Sequence, residues 1–187
     1  MRPTKRDELV QKALLVYFRN GFHATGMDML VTETGVSKTS MYKHFRTKED
    51  LILAVLRLRD EKFRNWLFRR MEELGDTPQE QLIAMFDALE EWFSGKDYSG
   101  CMFINASAEF ARPDDPIHMV AGEHKNLILK FLRELTVAAG ATEPEELADG
   151  LMLLMEGAIV MSYVAGDRYA AAHAKKAAEA LIQQARL

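Results

Sequence analysis

The sequence predicts an all-α protein of about nine helices, on three observations. Apolar residues recur at helical spacing through nearly the whole chain, and no alternating β-branched run bounded by hairpin turns occurs. The 5 prolines and 11 glycines fall mostly between the periodic segments. With 187 residues, 48% of them hydrophobic and 28% charged, the chain has enough apolar material to bury a core and does not read as a disordered acidic segment.

Each element has a local reason. A first helix is expected from about Thr4 to Asn20, with Leu9, Ala13, Val16 and Tyr17 on one face and Gly21 as its stop. A short second helix, about Met27 to Thr34, ends at Gly35. The third follows Ser37, a good N-cap, and runs from Lys38 to Phe45. Thr47 and Asp50 form a capping-box-like pair for a fourth helix reaching about Leu74. After the Gly75-Asp76-Thr77-Pro78 break come helices over about Pro78 to Ser94, Cys101 to Ala111, Pro116 to Ala139, Pro144 to Ala165 and Asp167 to Ala185.

The formal charge of −4 conceals an asymmetry. Residues 1–70 hold 15 Lys/Arg against 8 Asp/Glu, and residues 71–187 hold 9 against 20, so a head of +7 precedes a body of −11. A basic head on an acidic body suits a nucleic-acid binder with a separate second domain. One cysteine makes no internal disulfide, and a reducing cytoplasm is expected. The start of the chain, with Arg2, Lys5, Arg6, Asp7 and Glu8, lacks the apolar run of a secretory signal. The stretch Leu151 to Ala165 is expected to be too short to span a bilayer, and it carries Glu156.

Two short helices joined by Thr34-Gly35-Val36-Ser37 have the dimensions of a helix-turn-helix. Gly35 suits a left-handed turn position, and Met27, Leu30 and Val31 meet Met41 and Phe45 in a common core. That leaves Lys38, Thr39, Ser40, Lys43 and His44 outward, a short, polar, positive set fitted to base edges and phosphates in a major groove.

The run from Thr25 to Leu51 resembles the N-terminal domain of TetR-type (TetR/AcrR) transcriptional regulators. Its most specific parts are Gly35-Val36-Ser37, Tyr42-x-His44-Phe45 and Lys48-Glu49-x-Leu51. The resemblance covers about residues 4–55. It implies a homodimer in which each third helix enters a major groove of a palindromic double-stranded operator, released when a small molecule binds the C-terminal domain. It divides the chain into a DNA-binding domain, 1–48, and an effector-binding and dimerisation domain, 49–187. By resemblance Thr25 is a phosphate contact, Lys38, Thr39 and Ser40 read bases, Tyr42 and His44 touch the backbone, and Lys48 is the phosphate-binding lysine at a helix start. Gly26 stands where a Ser or Thr cap is usual, and Thr34 where Ala is usual; both predict a looser second helix.

In the body, Leu147, Leu151, Leu154, Ala158 and Met161 follow a 4-3-4-3 spacing suited to helix packing. The last helix adds small residues, Ala170, Ala174 and Ala177, and then Leu181. Pairing both helices with their two-fold mates gives the four-helix interface that the resemblance implies. Polar residues on apolar helices, Asn105, Glu109, His124 and Glu156, are candidate effector contacts, with apolar or aromatic walls from Trp66, Phe86, Trp92, Phe103, Met155 and Tyr163. The segments Gly100-Cys101-x-x-x-Asn105-x-x-x-Glu109 and Leu154-Met155-Glu156-Gly157-Ala158 resemble the effector domain of one TetR subgroup.

Three rival readings remain. Cys101, near a helix start, is a candidate thiol sensor on the same scaffold, or a small buried hydrophobe. A helical interaction protein without DNA binding is the alternative of another class. An enzyme is not expected, since no Gly-rich phosphate loop, serine elbow, zinc signature or close acid–base set occurs. His118, Glu123 and His124 fall on different faces of one helix, so neither a metal nor a cofactor is expected.

Overall fold

A computed structural model describes residues 4–185; Arg2 and the predicted domain ends 1–3 and 186–187 lie outside them. The described residues form nine helices and no strand. They are α1 (Lys5–Asn20), α2 (Met27–Thr34), α3 (Lys38–His44), α4 (Lys48–Leu74), α5 (Pro78–Phe93), α6 (Met102–Glu109), α7 (Pro116–Ala138), α8 (Pro144–Val164) and α9 (Ala170–Gln184).

The helix starts follow from their caps. Thr4 closes a reciprocal capping box with Asp7, and Thr77 closes another with Glu80. Ser37 accepts the Ser40 amide at 3.2 Å. The Thr47 hydroxyl accepts the Asp50 amide at 3.0 Å while Asp50 accepts the Thr47 amide at 3.1 Å. Gly35 sits at φ 68°, ψ 16°, the left-handed conformation that ends α2 and costs a side-chain-bearing residue strain.

Two compact units emerge. One holds the chain up to Phe63 together with Met102–His124; the other holds Arg64–Cys101 and the chain from Lys125 onward. The first is built on α1–α3 and the start of α4, around Leu9, Tyr17, Phe22, Leu30, Met41, Leu51 and Ile52, all fully or almost fully buried. Burial pushes the Tyr17 phenol far above its ordinary value, so it stays neutral. In the second unit α8 packs most extensively on α9, and α5 packs on both.

Two expectations need correction. Gly26 indeed gives α2 no side-chain cap, but Thr34 does not loosen the helix. Its buried hydroxyl donates to the Leu30 carbonyl at 2.6 Å and accepts the Val36 amide at 3.2 Å, while Lys12 donates to its carbonyl at 2.8 Å. A Thr whose hydroxyl is satisfied in both directions fastens the turn. The apolar stretch Leu151 to Ala165 does not stand alone as a helix. It belongs to α8, which at 21 residues is long and apolar enough by length and composition to cross a bilayer. The sequence expectation counted only that run and missed the two helical turns before it. One face of α8, with Leu147, Leu151, Met155, Ala158 and Ile159, is buried inside the second unit.

Candidate nucleic-acid interface

The geometry of the first unit separates the predicted DNA residues into two groups. On α3, Lys38, Thr39, Tyr42, Lys43 and His44 are exposed and Ser40 is half-buried, while Met41 is buried and anchors the opposite face. The helix therefore exposes two lysines, a threonine hydroxyl, a phenol and an imidazole, with the Ser40 hydroxyl half-buried beside them. Lys38 approaches Asp28 of α2 at 3.6 Å, but both side chains are largely exposed, so the pair is weak and exchangeable for a phosphate.

Thr25 and Lys48 are placed otherwise. Thr25 is 0% exposed and donates its hydroxyl to the Gly21 carbonyl at 2.6 Å, so it closes the α1–α2 turn and its side chain is not presented to a phosphate. Lys48 is half-buried, and its ammonium donates to the Phe22 carbonyl at 2.6 Å. Burial pulls its pKa below the ordinary lysine value, opposed by the charges of Glu49 and Glu109. In this arrangement the Lys48 head group grips the turn. Both residues keep their place beside the helix-turn-helix, but the partner of each is a backbone carbonyl that sequence spacing does not reveal.

The predicted effector residues are distributed over both units. Glu109, a candidate effector contact, accepts the Phe22 amide at 3.0 and 3.1 Å and the His23 amide at 2.6 Å, so its carboxylate is engaged by the α1–α2 turn. His124, 2% exposed, pairs with Asp60 at 2.7 Å and stacks on Phe103 with ring centroids 3.6 Å apart. Glu109, Phe103, Asn105 and His124 all belong to the first unit.

Trp66, Phe86, Cys101, Met155, Glu156 and Tyr163 belong to the second. There Lys125, which the sequence did not single out, joins Glu156 at 2.7 Å and lies 3.4 Å from the Cys101 sulfur. Burial alone would lower the Lys125 pKa, but Cys101 and Glu156 outweigh it and hold it above the ordinary value. Phe86 and Met155 are core residues, and Tyr163 is half-exposed against Gly100 and Tyr98.

Of the predicted dimer residues, Leu154, Ala158, Met161, Ala170, Ala174 and Ala177 line one shallow groove of about 370 Å³ between α8 and α9. Leu147 and Leu181 line a second hollow of about 290 Å³. Leu151 is wholly buried and corrects the seam at that point. The most outward apolar residues of α8, Leu153 at 74% and Val164 at 77% exposure, were missed. Because α8 is apolar almost all round, spacing alone did not say which stripe faces out.

Comparison with known proteins agrees with this architecture. Residues 9–55 match the family described as bacterial regulatory proteins, tetR family, and residues 78–178 match the tetracyclin repressor-like C-terminal domain. The HTH-type transcriptional regulator YjdC of Escherichia coli (strain K12) is 24% identical over 182 residues, covering 97% of this chain and 95% of the relative. The HTH-type transcriptional repressor KstR2 of Mycolicibacterium smegmatis is 35% identical over 88 residues, covering 46% and 41%. SCO4454, a TetR-family regulator from Streptomyces coelicolor, superposes with a TM-score of 0.88 at 24% identity, covering 96% of this chain and 95% of that one.

Proposed function

Because the chain belongs to the TetR family of DNA-binding transcriptional regulators, we propose that it is a ligand-responsive repressor. It acts as a homodimer, with residues 1–48 reading a palindromic operator and 49–187 binding the effector and pairing the subunits. The observation that carries the DNA side is the outward face of α3, where Lys38, Thr39, Ser40, Tyr42, Lys43 and His44 stand on a helix whose other side is fixed by Met41. Lys38, Thr39 and Ser40 read base edges, and Tyr42, Lys43 and His44 meet the sugar-phosphate backbone. Repression is supported by the relative KstR2, which is named a repressor. Effector binding displaces the operator through its different affinity for the bound and released conformations.

A gel shift with the DNA flanking the protein's own gene tests this reading. Lys43→Ala is expected to weaken binding to all sequences alike and to reduce the salt slope by about 1, whereas Thr39→Ala shifts sequence preference. Equal effects of the two substitutions on every duplex would contradict the assigned roles.

A second reading places the trigger at Cys101, supported by the Lys125 ammonium that donates to its sulfur at 3.4 Å. Iodoacetamide would then form an S–C bond with loss of iodide and of the thiol proton. On this reading the treated protein releases DNA and Cys101→Ala does not respond. Release by both proteins, or by neither, removes it.

A further inference from the structure

The turn between α1 and α2, residues 21–26, lacks backbone pairing of its own beyond the two hydrogen bonds at its ends, Gly21 to Tyr17 and Leu30 to Gly26. Buried or half-buried amides left in such a turn need partners. Side chains supply them. Glu109, the last residue of α6, accepts the Phe22 amide with both oxygens and the His23 amide at 2.6 Å, and its carboxylate lies 3.4 Å from the His23 imidazole.

Lys48 grips the Phe22 carbonyl from the other side, so one residue is held at both its N–H and its C=O. The Phe22 ring is buried between Tyr17 and Phe110, with centroids 5.4 and 6.2 Å away, and the His23 ring lies on Phe110 at 4.7 Å. Gly21, at φ 78°, permits the approach: a Cβ there would stand 3.0 Å from the nearer Glu109 oxygen.

We propose that Glu109 is a latch: its carboxylate ties α6 to the α1–α2 turn and thereby sets the position from which α2 and α3 address DNA. The inference rests on the DNA-binding reading for its consequence, but not for its mechanics. The position of α2 depends on the turn that leads into it, and the turn takes its shape from a carboxylate 86 residues further on. A displacement of α6 by one helical turn, about 5.4 Å, parts that carboxylate from both amides. The latch therefore gives α6 a direct hold on the helix-turn-helix, in addition to the continuous α4. Glu109 is a positioning residue here and touches no base or phosphate.

Electrostatics and the latch predict opposite signs. Removing a carboxylate from the first unit strengthens its attraction for DNA, whereas releasing the turn misplaces the recognition helix. The test uses the full-length protein and a duplex enriched by the wild type from a random-sequence pool, with a scrambled duplex beside it.

Glu109→Ala is expected to bind the enriched duplex about tenfold more weakly, the loss typical of charge-assisted hydrogen bonds, and the scrambled duplex equally or more tightly. Glu109→Gln, which keeps one acceptor oxygen at the same reach, falls between. Gly21→Ala, crowding the carboxylate from the other side, follows Glu109→Ala. Amide exchange at Phe22 and His23 accelerates in Glu109→Ala while Val16 and Tyr17 stay protected.

Unchanged or tighter binding to the enriched duplex, or exchange rising equally along all of α1, overturns the latch. If the wild type enriches no duplex, the DNA-binding reading falls, and exchange at Phe22 and His23 alone decides whether the latch exists.

Discussion

Leu153→Glu combined with Val164→Glu is expected to yield a monomer that has lost at least a hundredfold in operator affinity. Leu153, Gly157, Val160 and Val164 run down one stripe of α8, opposite the face that Leu151, Met155 and Ile159 bury in the second unit. Exposed apolar side chains aligned in this way mark an interface. Each buried Leu or Val contributes roughly 1.5–3 kcal/mol, and two-fold symmetry doubles every substitution. Four carboxylates forced into that contact add their desolvation. A monomer engages one half-site, so the gain from holding both at once disappears. Light scattering gives the mass and anisotropy the affinity. Far-UV circular dichroism should not change, because the buried face of α8 is intact. A variant that stays dimeric would move the interface to another surface.

The second large effect concerns the head. Leu30→Ala should remove about 3 kcal/mol from a small core, since Leu30 is fully buried and truncating a buried Leu leaves a cavity. The first unit is then expected to melt early, with DNA binding lost at growth temperature, while the dimer persists. Both tryptophans, Trp66 and Trp92, lie in the second unit, so their fluorescence reports that unit. In urea, the circular dichroism should show an early transition that tryptophan fluorescence does not. Coincident transitions from both probes would mean that the units unfold together.

What could be read in the sequence was what local chemistry decides. Ser37, Thr47 with Asp50, and Gly35 act on amides within a few residues, so the ends of α2, α3 and α4 were legible, as was the outward set on α3. Thr34 misled because its family position suggested a poor fit, although its hydroxyl bonds lie within its own turn. The main-chain partners of Glu109 and Lys48 could not be read because they lie 87 and 26 residues away, which no spacing encodes. The pairing of Lys125 with Glu156 was invisible for the same reason. On α8 the difficulty was different: two apolar stripes share one helix, and only packing against α9 shows which is inside.

The central claim, sequence-specific reading of DNA by the face of α3, is tested most directly by a competition titration. A fluorescent duplex from the region flanking the gene is bound by wild-type protein at 50 and at 200 mM salt and challenged with unlabelled flanking or scrambled DNA. The account predicts displacement by flanking DNA at a far lower concentration than by scrambled DNA. It also predicts a fall in affinity on the order of a thousandfold between the two salts, as six or so neutralised phosphates require. Equal displacement by both competitors would contradict it.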